Sequence, residues 1–78
     1  MSAFERVQTA VATTLKVPAG VITATTRDVD VPAWDSMGHL NLMMALEQTF
    51  DITLEVEDFA NLTSVPAILA YLQNRGIG

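Results

Sequence analysis

From Asp35 to Phe50 the chain reads as one helix whose apolar side chains sweep about 220° of the helical wheel, more than twice the stripe that a surface helix buries. Such a helix must either be the central element of the fold or keep part of its apolar face for partners, and both can hold together. Asp35 is a good N-cap, and Leu42, Met43, Leu46 and Phe50 fall on one side of the wheel, where a core is expected. Met37, Leu40 and Met44 widen the arc. Methionine's flexible thioether suits surfaces that repack against several partners, so these three are expected to form an exposed stripe.

The remaining segments must cover the core side of that helix. Ser2 followed by Glu5 has capping-box spacing, which predicts a helix start, and Phe4, Val7, Val11 and Leu15 lie within an arc of about 80°. Pro18 and Gly20 are expected to end this helix. Residues 17–34 show neither helical nor strand periodicity and read as a loop, with Val21, Ile22 and Val29 as its expected anchors. Asp28 and Asp30 suggest a calcium loop, but Ala33 stands where that loop needs glycine and His39 where it needs glutamate. A short helix is expected within 53–61, with Val56 and Phe59 three apart. A last one is expected after Thr63, with Pro66 in its first turn, Val65, Ile68, Leu69 and Leu72 on one face, and Arg75 and Gly76 as its stop. The fold class is therefore all-α: one domain over residues 1–78, a small four-helix bundle of three longer helices and one short, with a long loop between the first two.

Composition narrows the function. A 78-residue chain buries only about two-thirds of its unfolded surface, so the core is small. With 50% hydrophobic and 17% charged residues it is too apolar to stay disordered, and no apolar run approaches the roughly 18 residues of a membrane span. Nine acidic against four basic residues give a net charge of −5, which opposes nucleic-acid binding and favours partners with basic patches. Without cysteine, any thiol chemistry has to be imported. The N-terminal residues lack the basic start and apolar run of a signal peptide, so the expected location is the cytoplasm, and the expected state is a monomer.

Ser36 is the candidate working residue. With Asp35 as the cap it is the first residue of the helix, at the solvent edge of the loop–helix junction. A phosphate ester there would lie beside free N–H groups and the positive end of the helix dipole, worth typically about 0.3–1 kcal/mol per charge. The competing interpretation is that Asp-Ser merely caps a helix. His39, three residues on, suggests a hydrolase, but a base must reach the nucleophile and be oriented by a third group, and Asp35 is already occupied as the cap. Its place on the wheel between Leu46 and Phe50 argues for packing instead.

Trp34-Asp35-Ser36-Met37-Gly38-His39-Leu40, then Ala45-Leu46-Glu47, Phe50-Asp51-Ile52 and Leu62-Thr63-Ser64-Val65, resemble the acyl carrier proteins in order and spacing across essentially the whole chain. The resemblance implies a four-helix fold with a long first loop. It also implies that Ser36 is esterified by a phosphopantetheinyl transferase with phosphopantetheine from coenzyme A. The arm's thiol then holds acyl groups as thioesters for fatty-acid or polyketide biosynthesis, and acyl- or aminoacyl-loading and acyl-transfer enzymes are the implied partners. Their docking surface transfers to Asp35, Met37, Met44 and Glu47, and by position to Asn41 and Gln48.

Where fatty-acid carriers tend to be acidic along this helix, Gly38, Asn41 and Thr49 are uncharged, and Glu47 is the one charged residue within 36–50, which points to a specialised pathway. Gly38 lowers helix propensity by about 1 kcal/mol relative to alanine, which predicts a mobile first turn. An acyl chain would need the helices to part, with Val7, Leu46, Phe50, Phe59 and Ile68 as lining candidates. Aminoacyl and peptidyl carriers share the motif and are the alternative within the carrier reading. An unmodified helical adaptor and a small hydrolase built on Ser36 and His39 are the alternatives outside it.

Overall fold

The computed structural model describes residues 2–77. Its helices are α1 (Ala3–Leu15), α2 (Ser36–Phe50), α3 (Val56–Asn61) and α4 (Val65–Asn74), and no strand forms among the described residues. The expected four-helix architecture is present: α1 and α4 pack together, α2 lies along α1, and α3 leans on α2. No helix of the described residues is long and apolar enough to cross a membrane.

Capping fixes the ends. Ser2 Oγ accepts the Glu5 N–H at 3.1 Å while Glu5 Oε1 accepts the Ser2 N–H at 3.1 Å, the reciprocal box read from the sequence. The stop of α1 differs from expectation. Lys16, with φ 58°, adopts the left-handed conformation and ends the helix before Pro18 is reached, and the Val17 N–H closes onto the Ala12 carbonyl. A left-handed lysine costs more than glycine would there, so Lys16→Gly is expected to raise stability by about 0.5 kcal/mol after the glycine's larger unfolded-state entropy is subtracted. A higher urea midpoint with unchanged m-value is the readout. Asp51, φ 54°, ends α2 in the same way. At the other end of the chain Ser64, not Thr63, caps α4, its Oγ accepting the Ala67 N–H, and Gly76 supplies the left-handed stop as expected.

Val7, Val11, Leu42, Met43, Leu46, Val65, Ile68 and Leu72 form the innermost core, closed by Leu15 and Phe50. The α2 core set is the one its wheel predicted. Phe4 and Leu69 pack only partly against the core, and of the pair three apart in α3, Phe59 packs partly while Val56 is exposed. The flanking Leu54 and Leu62 anchor α3.

The long loop carries two 3-10 turns, Ala19–Val21 and Asp28–Asp30. Of its expected anchors Ile22 is fully buried, whereas Val21 and Val29 are exposed and Val31 and Trp34 enter the core in their place. Short turns reverse the chain every few residues, so a count along the sequence does not show which valine points inward. The loop is also held by hydrogen bonds that apolar patterning cannot reveal. Gln8 Nε2 donates to the Ala19 and Ile22 carbonyls, both at 2.9 Å, and the Asp28 and Val65 N–H groups donate to the Thr63 and Thr26 carbonyls. Asp30, part of the rejected calcium motif, accepts the Arg27 N–H.

On α4 the Tyr71 hydroxyl is buried with no hydrogen-bond partner. Burial first, and the Asp58 carboxylate second, push its pKa above the ordinary 10.0, while the Arg75 guanidinium opposes them. The folded chain therefore holds this proton more tightly than the unfolded chain does. Stability should be insensitive to this group below pH 10 and fall as pH rises beyond it. Tyr71→Phe should abolish that alkaline loss. Urea unfolding of both proteins across the alkaline range checks the sign.

Candidate functional site at the start of the second helix

The chain's three serines all stand at the start of a helix, and they do different work. Ser2 and Ser64 are N-caps whose hydroxyls accept backbone N–H groups. At α2 that role falls to Asp35, whose Oδ1 accepts the Gly38 N–H at 2.8 Å. Ser36 is thus the first helical residue, exposed and not needed as a cap. Gly38 is held at the third helical position by Asp35 and the His39 N–H donates to the Asp35 carbonyl, so the Ser36 and Met37 N–H groups remain for solvent or an anion on the serine.

What holds this junction was hidden in the sequence. Gly38 lies where the loop passes closest to α2: a Cβ there would be driven into the Ala33 carbonyl oxygen and would approach Leu15 Cδ2 to 2.9 Å. The glycine expected to loosen the first turn instead lets the loop pack onto it. Trp34, buried, donates from Nε1 to His39 Nδ1 at 3.0 Å, and the two rings stack 6.3 Å apart. The second His39 nitrogen, Nε2, donates to the Phe59 carbonyl. Only the neutral imidazole protonated at Nε2 satisfies both bonds. The ring thereby joins the loop, α2 and α3, and neither nitrogen is left to take a proton from Ser36, which removes the geometry a Ser36–His39 hydrolase needs.

The other candidate residues spread along α2. Met37 is 66% exposed and Met44 45%, with Leu40 between them at 44%, so the apolar stripe is open to solvent. Asp35, Asn41 and Gln48 are exposed. Glu47 is half-buried and accepts the Leu54 N–H at 2.9 Å, which ties the α2–α3 connection back onto α2. A carboxylate seven residues before its partner leaves no periodic trace in a sequence, so this bond was not legible.

Two depressions mark the surface. One, about 390 Å³, is an open groove between α1 and α2 lined by residues such as Arg6, Thr13 and Thr49. The other, about 280 Å³, opens beside Ser36 between Asp28, Trp34, Asp35, His39 and Thr63. Neither is lined by the acyl-chain candidates Val7, Leu46, Phe50, Phe59 and Ile68.

Residues 5–72 match the family model described as a phosphopantetheine attachment site. The chain is 33% identical to an acyl carrier protein of Onion yellows phytoplasma over 69 residues, which cover 88% of this chain and 91% of that one. It is 38% identical to an acyl carrier protein of an Exiguobacterium species (88% and 87% covered) and 30% identical to that of Akkermansia muciniphila (88% and 86% covered). In this family a phosphopantetheinyl transferase attaches the arm and acyl-handling enzymes act on what it carries. The chain belongs to the acyl carrier protein family, whose members are carriers rather than enzymes and bear covalently attached phosphopantetheine.

Proposed function

We propose that Ser36 is the residue that carries phosphopantetheine, and that residues 1–78 work as one monomeric, cytoplasmic carrier domain in a specialised acyl pathway. The observation that carries the site is the division of labour among the serines: Asp35 caps α2 and leaves the Ser36 hydroxyl exposed at a helix N-terminus. In the loading step the Ser36 oxygen forms a bond to the pantetheine-side phosphorus of coenzyme A. The pyrophosphate P–O bond breaks, adenosine 3′,5′-bisphosphate leaves, and the hydroxyl proton passes to a base of the transferase, since His39 is engaged elsewhere. The resulting phosphodiester faces the Ser36 and Met37 N–H groups, which favour its charge by about 0.3–1 kcal/mol. Incubation with coenzyme A and a broad-specificity transferase should raise the intact mass by one phosphopantetheine; an unchanged mass with several transferases would sink the assignment.

The specialised role rests on the exposed face of α2. Between Ser36 and Phe50 it presents Met37, Leu40 and Met44 with uncharged Asn41 and Gln48, while the one carboxylate, Glu47, is bound to Leu54. A partner for this face would be read mainly by apolar contact, with Asp35 as the charge beside the arm. Met44→Glu is expected to raise the KM of the loading enzyme on the order of tenfold, about 1.4 kcal/mol of lost contact, with the fold intact. The wild-type KM should change little with added salt, because exposed charges are what salt screens. A steep salt dependence would argue for an electrostatic footprint instead.

A further inference from the structure

We infer that the cleft beside Ser36 is the seat of the near end of the phosphopantetheine arm, its branched dimethyl carbons next to the small part of Trp34 that reaches the surface and its hydroxyl and first amide N–H donating to Asp28 and Thr63. This rests on Ser36 being the attachment residue. The cleft, about 280 Å³, is lined by Ser36 itself, so a group esterified to that hydroxyl begins at its mouth. A tethered ligand occupies a weak site far more fully than a free one, because its effective concentration is set by the short tether.

The walls match that end of the arm in chemistry. Trp34 is only 4% exposed, so a small part of the indole meets the cleft, and with its Nε1–H satisfied by His39 it brings no donor seeking a partner. Asp28 and Asp35 each use Oδ1 on a backbone N–H, of Val29 and Gly38, and keep a second oxygen as an acceptor. Thr63 adds a hydroxyl from the connection before α4. No lysine or arginine is among its lining residues, and His39, which is, spends both ring nitrogens on Trp34 and Phe59, so the cleft disfavours a second anion and suits a neutral segment with hydrogens to donate. The phosphate itself would stay at the mouth, against the Ser36 and Met37 N–H groups and the positive end of the helix dipole, which offset the charge of the neighbouring Asp35.

The test is nuclear magnetic resonance of the apo protein and of the holo protein, with loading established first by intact mass. If the mass does not rise, the Ser36 assignment has failed; if it rises, the seat can be judged separately. In the loaded protein the geminal methyl protons should show Overhauser contacts to the Trp34 ring, and the Trp34 indole, Asp28 and Thr63 amide resonances should shift from their apo positions. The double variant Asp28→Asn with Thr63→Val should load to the same mass but lose most of that contact intensity. A loaded protein without contacts to Trp34 would overturn the proposal, as would contacts of undiminished strength in the double variant.

Discussion

Ser36→Ala is expected to abolish loading with phosphopantetheine completely while leaving the urea midpoint and helix content unchanged. The two halves of that expectation have separate causes. Loading fails because the exposed hydroxyl at the start of α2 is gone, and the serines at Ser2 and Ser64 are committed as caps. The fold persists because Asp35 still holds the Gly38 N–H and an exposed first-turn residue without such a role typically contributes within about 0.5 kcal/mol. Asp35→Ala is the informative contrast: loss of the cap should cost about 1 kcal/mol of stability. A Ser36→Ala protein that unfolds would contradict the exposed, uncommitted placement of this residue.

The second large effect is at Gly38. Helix propensity alone says that Gly38→Ala should stabilise α2 by about 1 kcal/mol. The packing says the opposite, because the new methyl would overlap the Ala33 carbonyl and crowd Leu15, and overpacking costs typically 1–3 kcal/mol. Backbone cannot swing aside as a flexible side chain can, so a net loss of about 1–2 kcal/mol is expected. Because residues 33–35 lead directly into Ser36, loading should slow as well. Urea unfolding measures the first and the initial rate of mass gain the second; a Gly38→Ala protein more stable than wild type would show that this close approach does not constrain the helix. Amide exchange bears on the same point. Slow exchange at Gly38–Leu40 is expected from the packed junction, where the glycine taken alone predicts fast exchange, while the unbonded Met37 N–H should exchange fast in either case.

Legibility in the sequence followed the physics of each element. Helices that bury one face announce themselves by period, so the core set of α2 and the stripe of α1 could be read from spacing, and the exposed methionines followed as the remainder of the arc. Caps could be read where side chain and backbone lie three residues apart, as at Ser2, Glu5 and Asp35. Where Thr63 and Ser64 stand side by side, a one-residue choice between two good caps depends on the turn that precedes them, and the sequence favoured the wrong one. The loop was least legible, because its order comes from long-range bonds such as Gln8 to Ile22 and from the Trp34–His39–Phe59 bridge, which link positions with no regular spacing. Gly38 is the sharpest case: in one dimension a glycine in a helix is a defect, and only the path of the loop shows it to be a requirement.

The family assignment leaves the attachment residue as the central claim, and locating the added mass within the chain tests it most directly. Wild-type protein loaded from coenzyme A would be cleaved and the modified peptide fragmented, with every serine and threonine available as a competing site. The expected result is a single phosphopantetheine on Ser36, with Ser2 and Ser64 unmodified. Added mass on any other residue, or loading that survives in Ser36→Ala, would contradict the account.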